Sequence, residues 1–167
     1  MSLARDLQLA RRAKKAGAQY SLRIVLEARR AEIPISLAFA LVEQESGFRN
    51  VFGHDRQAWR PEDGKVTKAT VAHLLETVRQ GRPSNGVGLT QLTWPGFIRA
   101  ANRAGGAHIP KYQLRVGFDH LAKCIHTFGV KRGLSVYNSG SPDNPKGRAY
   151  AAQVVAKATR WHGVLTG

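Results

Sequence analysis

The chain has 167 residues, 43% hydrophobic and 22% charged, so the expectation is one globular domain with room for a buried core. Lys and Arg number 26 against 11 Asp and Glu, a net charge of +15, which directs attention to polyanionic partners: nucleic acid, an anionic membrane or an acidic cell wall. A single cysteine, Cys124, excludes an intramolecular disulfide and a thiolate zinc cluster, and no apolar run reaches the roughly 18 residues that a membrane span needs.

The start MSLARDLQLARRAKK lacks the apolar stretch of a secretory signal, so the chain is expected to be made in the cytoplasm and to act elsewhere only after release. Leu3, Leu7 and Ala10 recur at helical spacing, and Ile24, Val25 and Ala28 share one side of a second segment whose other side carries arginines, which predicts two basic amphipathic helices over residues 1–32. Pro34 suits a first helical turn, and ISLAFALVEQES is apolar nearly all round until Gly47, the pattern of a central buried helix. Residues 50–66 mix Gly, Pro, Asn and Asp without period and read as a loop. Val71, Leu74, Leu75 and Val78 then mark a helix stopped by Gly81. Beyond turn-rich residues 82–92, Thr93 is the expected cap of a helix with Phe97, Ile98 and Ala101 inward. Leu121, Cys124, Ile125 and Phe128 mark a further helix, as do Tyr150, Val154, Ala158 and Trp161. With no alternation long enough for a sheet, the expected class is all-α, about seven helices with functional loops between them.

Glu43 and Glu45 stand on the end of the most apolar helix, about 200° apart, so they face different surroundings. Periodicity favours burial of Glu45, which shares a face with Ala38, Leu41 and Val42, without deciding between the two. Carbonyl dipoles at a helix C-terminus and apolar neighbours both disfavour a negative charge, and raising a Glu from about 4.3 to about 6 costs roughly 2 kcal/mol, which is worthwhile where the proton is useful. GVGLTQLTW adds glycines that permit close backbone approach, Gly86 and Gly88, and then the amide of Gln91. SVYNSG adds Tyr137 and Asn138 before a glycine turn, a flat apolar body with polar ends of the kind that reads sugar rings.

The order Glu45-Ser46, then Gly88-Leu89-Thr90-Gln91-Leu92, then Tyr137-Asn138-Ser139-Gly140 and Tyr150-Ala151, resembles the soluble-type lytic transglycosylases, relatives of goose-type lysozyme, over residues 33–163. The phrases PKYQLRVGF and YNSGSPDNPKGRAYAAQVVAKATRWHGVL further resemble versions of this domain in bacteriophage lysins. The resemblance implies a lysozyme-like helical domain with a glycan-binding groove. It also implies cleavage of the β-1,4 bond between N-acetylmuramic acid and N-acetylglucosamine in bacterial peptidoglycan. By position, Glu45 would be the catalytic acid and then base, giving a 1,6-anhydro product. Ser46 would orient that carboxylate, Gly88, Leu89 and Gln91 would hold the substrate, and Tyr137 with Asn138 would brace Glu45 and the adjoining sugar. Thr90 stands where the family usually has Met, Val136 where it usually has Ala, and the segment from Glu45 to Gly88 is longer than usual.

Hydrolysis by two carboxylates is the alternative, with Asp55, Glu62 and Asp63 in the loop after the catalytic helix and Asp55 the best placed as base. The implied partners are peptidoglycan glycan strands and anionic cell-wall polymers, met by a monomer after release by another protein or from a virion. The alternative of a different class is a basic nucleic-acid-binding or a non-catalytic cell-wall-binding module; specific nucleic-acid binding is not expected, because no zinc spacing, aromatic RNA-binding signature or recognition helix accompanies the charge. No cofactor or metal is expected either: the six histidines form no His-x-x-x-His pair, and Cys124 lies at core spacing with Leu121 and Phe128. Trp59, Trp94 and Trp161 are each either packing residues or sugar platforms.

Overall fold

Among the described residues seven helices follow one another: α1 (Leu3–Lys15), α2 (Ser21–Arg30), α3 (Ile35–Ser46), α4 (Lys68–Arg79), α5 (Pro95–Arg103), α6 (Pro110–Ser139) and α7 (Pro145–Thr166). The computed structural model describes residues 2–167, and among these the only extended pairings are two isolated bridges, Val51 with Lys65 and Phe52 with Val87. The chain is therefore all-α, as the periodicities predict.

Local chemistry accounts for most helix ends. Ser2 accepts the Ala4 N–H at 3.2 Å to begin α1, Thr67 and Thr70 form a reciprocal capping box at α4, and Asn144 accepts the N–H groups of Lys146 and Gly147 ahead of Pro145 at α7. Gly47 and Gly81, at φ +57° and +82°, end α3 and α4 in the left-handed conformation that glycine adopts without penalty. Three expectations need correction. The N-cap of α5 is Trp94, and the Thr93 hydroxyl instead donates to the Gln91 carbonyl at 3.1 Å, because Pro95 fixes the first turn without a side-chain cap. Leu3 and Leu7 are 65% and 36% exposed, since α1 buries only Ala10 and Ala13. Phe128 is exposed as well, for it lies at the rim of a break in α6.

That break is at Gly129 (φ 74°, ψ 171°). Nine residues of unbroken helix would hold Cys124 and Gly133 about 13 Å apart. Here a β-carbon on Gly133 would come within 2.8 Å of the backbone of Cys124 and Ile125, so the chain doubles back and Gly133 lets the two backbones touch.

The chain divides into two compact units, Met1–Gln44 with Phe118–Gly167, and Glu45–Gly117. In the first, fully buried Phe39 stacks on Trp161 with ring centroids 5.0 Å apart. The Trp161 indole N–H donates to Glu43 Oε2 at 2.6 Å, and Arg160 pairs with the same oxygen. Arg30 joins buried Glu27 at 2.7 Å to Asp119 at 2.8 Å, and Arg12 donates to the Leu165 carbonyl at 2.6 Å, holding α1 to the end of α7. The second unit packs Phe52, Val71, Leu74, Val87, Leu92 and Ile98 into a core against which Trp59 leans, edge-on to Phe52 at 5.8 Å. Trp59 and Trp161 are thus packing residues.

Glu43 is the acceptor for a buried indole, and this predicts a graded series. Glu43→Leu should lower stability by roughly 1–3 kcal/mol, whereas Glu43→Gln, which keeps an acceptor oxygen, should lose less than half of that, read as shifts of the urea midpoint at constant slope.

Candidate active site

The end of α3 places Glu45 and Ser46 at the start of the second unit. Glu45 is half-buried and Ser46 buried; the Ser46 hydroxyl donates to the Leu89 carbonyl at 3.0 Å, and its own carbonyl accepts the Arg49 N–H at 3.2 Å. Gly47 and Phe48 both take positive φ, +57° and +62°, so the chain turns sharply out of the helix while buried Phe48 anchors it. The Ser46 hydroxyl, next to Glu45 in sequence, is thereby set against the segment 88–92 that the sequence singles out.

That segment is a tight turn closed by reciprocal Val87–Leu92 backbone bonds of 3.1 Å. The Gly88 N–H donates to the Val51 carbonyl at 2.9 Å, and both amide protons of Gln91 are committed, to the carbonyls of Val51 at 3.0 Å and Gly88 at 2.8 Å. Gln91 therefore acts on the turn itself, with its Oε1 lying against Gly53 and Gly86, where a β-carbon would strike it. Thr90, which stands where the resembling family usually has Met, is 1% exposed and donates to the Gln113 carbonyl at 2.9 Å, with Gly117 packed against it. Its hydroxyl is internal to the fold.

Gln113, on the first turns of α6 and absent from the sequence-based site, organises this region. It has no solvent exposure: Oε1 accepts the Leu89 N–H at 3.0 Å, while Nε2 donates to Asn50 Oδ1 at 2.8 Å and to the Ala107 carbonyl at 2.9 Å. A β-carbon on Gly88 (φ +74°) would meet this amide at 2.1 Å, so Gly88 is required twice over, by conformation and by space. A signal existed in the sequence: Gln113 and Gly117 stand i, i+4 on an otherwise apolar helix face, the pattern of a polar group and a close approach on one buried side. Asn85, 1% exposed, plays a similar part in the preceding loop, its Oδ1 accepting the Gly86 N–H at 2.9 Å.

The loop carboxylates are placed differently. Asp55 is exposed and its Oδ1 accepts the Gln57 N–H at 2.9 Å, an Asx turn. Asp63 accepts the Lys65 N–H at 3.0 Å and pairs with its ammonium at 3.2 Å; the backbone bond first, then the side-chain bond, hold its carboxyl below the usual carboxylate range. Glu62 is exposed.

Tyr137 and Asn138 belong to the first unit, on the last turn of α6, with Tyr137 half-buried against the His120 ring at 5.3 Å and Asn138 exposed. Serines that the motif reading passed over fix this turn: the Ser135 hydroxyl donates to the Ser141 carbonyl at 2.7 Å, that of Ser139 to the Ser135 carbonyl at 2.8 Å, and a β-carbon on Gly147 would strike both hydroxyls. Cys124 is buried, which pushes its thiol up, and burial pushes neighbouring His120 down, so both shifts disfavour a thiolate–imidazolium pair. Among the described residues no group of three or more His, Cys, Asp and Glu side chains could hold a metal ion, and no helix is long and apolar enough to cross a membrane.

No protein-family model matches the sequence, and no curated protein does. In three dimensions the chain is similar to the lytic transglycosylase Slt from Pseudomonas aeruginosa, solved as an inactive mutant. The TM-score is 0.56 at 20% identity, covering 87% of this chain and 24% of that one. The fold is thus of the helical lytic-transglycosylase kind, and this chain spans about a quarter of that protein's length.

The buried amide gives the second prediction. Gln113→Leu removes the partners of Leu89, Asn50 and Ala107 together and should cost roughly 2–4 kcal/mol, while Ser46→Ala should cost about 1 kcal/mol, both read by chemical denaturation.

Proposed function

We propose that this chain cleaves the β-1,4 bond between N-acetylmuramic acid and N-acetylglucosamine in peptidoglycan as a lytic transglycosylase, with Glu45 as its acid and base. The observation that carries the reading is the tie between the end of α3 and the turn 88–92: Ser46, next to Glu45, is bonded to Leu89, whose own N–H is held by Gln113. A carboxyl on a helix end fixed from behind in this way can be presented to a substrate in one orientation, which is what general acid catalysis needs. The three motifs that resemble the family and the likeness of fold support the same assignment.

In this reading the Glu45 carboxyl protonates the glycosidic oxygen as the bond to C1 breaks. The resulting carboxylate then takes the proton of the muramyl C6 hydroxyl, whose oxygen closes on C1. The products are a free N-acetylglucosamine 4-hydroxyl and a 1,6-anhydromuramyl end, so no water enters and one group serves in both steps. Two-carboxylate hydrolysis would need a second acid roughly 5–9.5 Å away, free to hold a water. The turn bond of Asp55 and the lysine pairing of Asp63 disfavour that arrangement.

Digestion of purified sacculi tests this. The wild-type protein should release anhydromuramyl ends seen by mass spectrometry, Glu45→Gln should lower the rate by about 10²–10⁴-fold at unchanged melting temperature, and Asp55→Asn should leave the product unaltered. Reducing muramic acid in the wild-type digest would replace transglycosylation by hydrolysis, and lysis undiminished in Glu45→Gln would remove Glu45 from the chemistry.

A further inference from the structure

The helices α1 and α2 carry apolar side chains that the interior does not use. Leu3 is 65% exposed, Tyr20 40%, Leu22 38% and Leu7 36%, although one to three residues away Ala10, Ser21 and Ile24 are buried. Between the two helices lies an open groove of about 740 Å³ with Leu7, Ala10, Leu22 and Leu26 among its lining residues. The charged residues that line it are Arg11, Lys14 and Arg23, with no carboxylate among them.

The absence of negative charge at this face has a structural origin. The one acid of α1, Asp6, bonds Arg29 at 3.3 Å, and the one acid of α2, Glu27, is 3% exposed and bonds Arg30 at 2.7 Å. Both are turned to intramolecular partners, which leaves the outward surface cationic. On α1, Leu3, Leu7, Arg11 and Lys14 follow at spacings of four and three, so leucines and cations run along one stripe instead of opposing each other. A soluble polyanion would satisfy the cations and leave the leucines in water. A second copy would satisfy the leucines and bring like charges together. Only a surface that offers acyl chains beneath a layer of phosphates matches both sets at once.

We propose that the α1–α2 pair docks this chain onto an anionic phospholipid bilayer, with Leu3, Leu7 and Leu22 entering the acyl boundary and Arg11, Lys14 and Arg23 lying among the phosphates. Tyr20, at the turn between the helices, sits at headgroup level with its hydroxyl toward water. The proposal is independent of the glycan chemistry assigned to Glu45.

Co-sedimentation of the full chain with large vesicles tests it, comparing equimolar phosphatidylglycerol and phosphatidylcholine with phosphatidylcholine alone. Binding is expected on the anionic vesicles only. The triple variant Arg11→Gln/Lys14→Gln/Arg23→Gln should lower the partition coefficient on the order of a hundredfold, about fivefold per charge near an anionic surface. Leu3→Ser/Leu7→Ser/Leu22→Ser should lower it on the order of a hundredfold too, while leaving retention on a polyphosphate column unchanged. Circular dichroism confirms that each variant folds; should the triple leucine variant fail, Leu3→Ser alone, at the most exposed site, carries the prediction as a loss of about fivefold. Binding to anionic vesicles unaffected by the leucine changes would overturn the proposal in favour of a plain polyanion surface. A dimer in sedimentation velocity that the leucine variant dissolves would overturn it in favour of self-association.

Discussion

The carboxamide of Gln113 is the constraint on which the candidate site depends. It is wholly excluded from solvent, and its donors and acceptor reach three separate stretches of chain: Asn50 beyond the end of α3, Ala107 before α6, and Leu89 in the turn 88–92. A buried amide satisfied at all three points rigidifies its surroundings, whereas one satisfied at two would be worse than an apolar side chain in its place. Leu89 is then gripped through both backbone groups, its N–H by Gln113 and its carbonyl by Ser46. Glu45 inherits its position from that grip, one residue removed.

The two glutamates at the end of α3 illustrate how the same residue type on the same helix meets different surroundings. Glu43 accepts from an indole that is itself stacked on Phe39 and pairs with Arg160 through the same oxygen, Oε2, so this carboxylate holds α7 to α3. Two residues on, with the helix turned by about 200°, Glu45 falls in the other compact unit, beside Ser46 and the turn. Apolar periodicity alone left the choice between them open, because both sit on faces with buried neighbours. The long-range partner that distinguishes them, Trp161, is 118 residues from Glu43 in sequence.

This difference marks how much of the molecule was legible in the sequence. Helix positions followed from apolar spacing and from Gly47 and Gly81, and the class followed from the lack of alternation, because these are local effects. Less accessible was what covers a given face. Leu3 and Leu7 have the spacing of a buried stripe and are exposed, since periodicity identifies an apolar face without naming a partner for it. Glycines inside helices were informative and passed unread: Gly133 and Gly147 each sit where a β-carbon would strike a neighbouring segment, and the reversal at Gly129 is what brings the first of these contacts about. At the candidate site the sequence displays the chemistry of Glu45, Ser46 and Gln91, whereas the buried amides of Gln113 and Asn85 stay hidden in it. Their chemistry is directed at backbone groups that no motif displays.

Backbone strain points to the same place. Among the described residues four that are not glycine take positive φ: Tyr20, Glu32, Phe48 and Gln91. The first two flank α2 and turn the chain at its ends. Phe48 and Gln91 lie instead two residues after Ser46 and Leu89, the two partners of one hydrogen bond, and such conformations cost of order 1–3 kcal/mol each unless the surroundings over-determine them. Here they do. Phe48 is held by burial and Gln91 by its two amide bonds to Val51 and Gly88, so the unfavourable conformations are maintained by contacts that lie behind the turn. Retaining bulky or polar side chains there keeps Phe48 in the core and the Gln91 amide across the turn, and the geometry that results fixes the end of α3 where Glu45 stands.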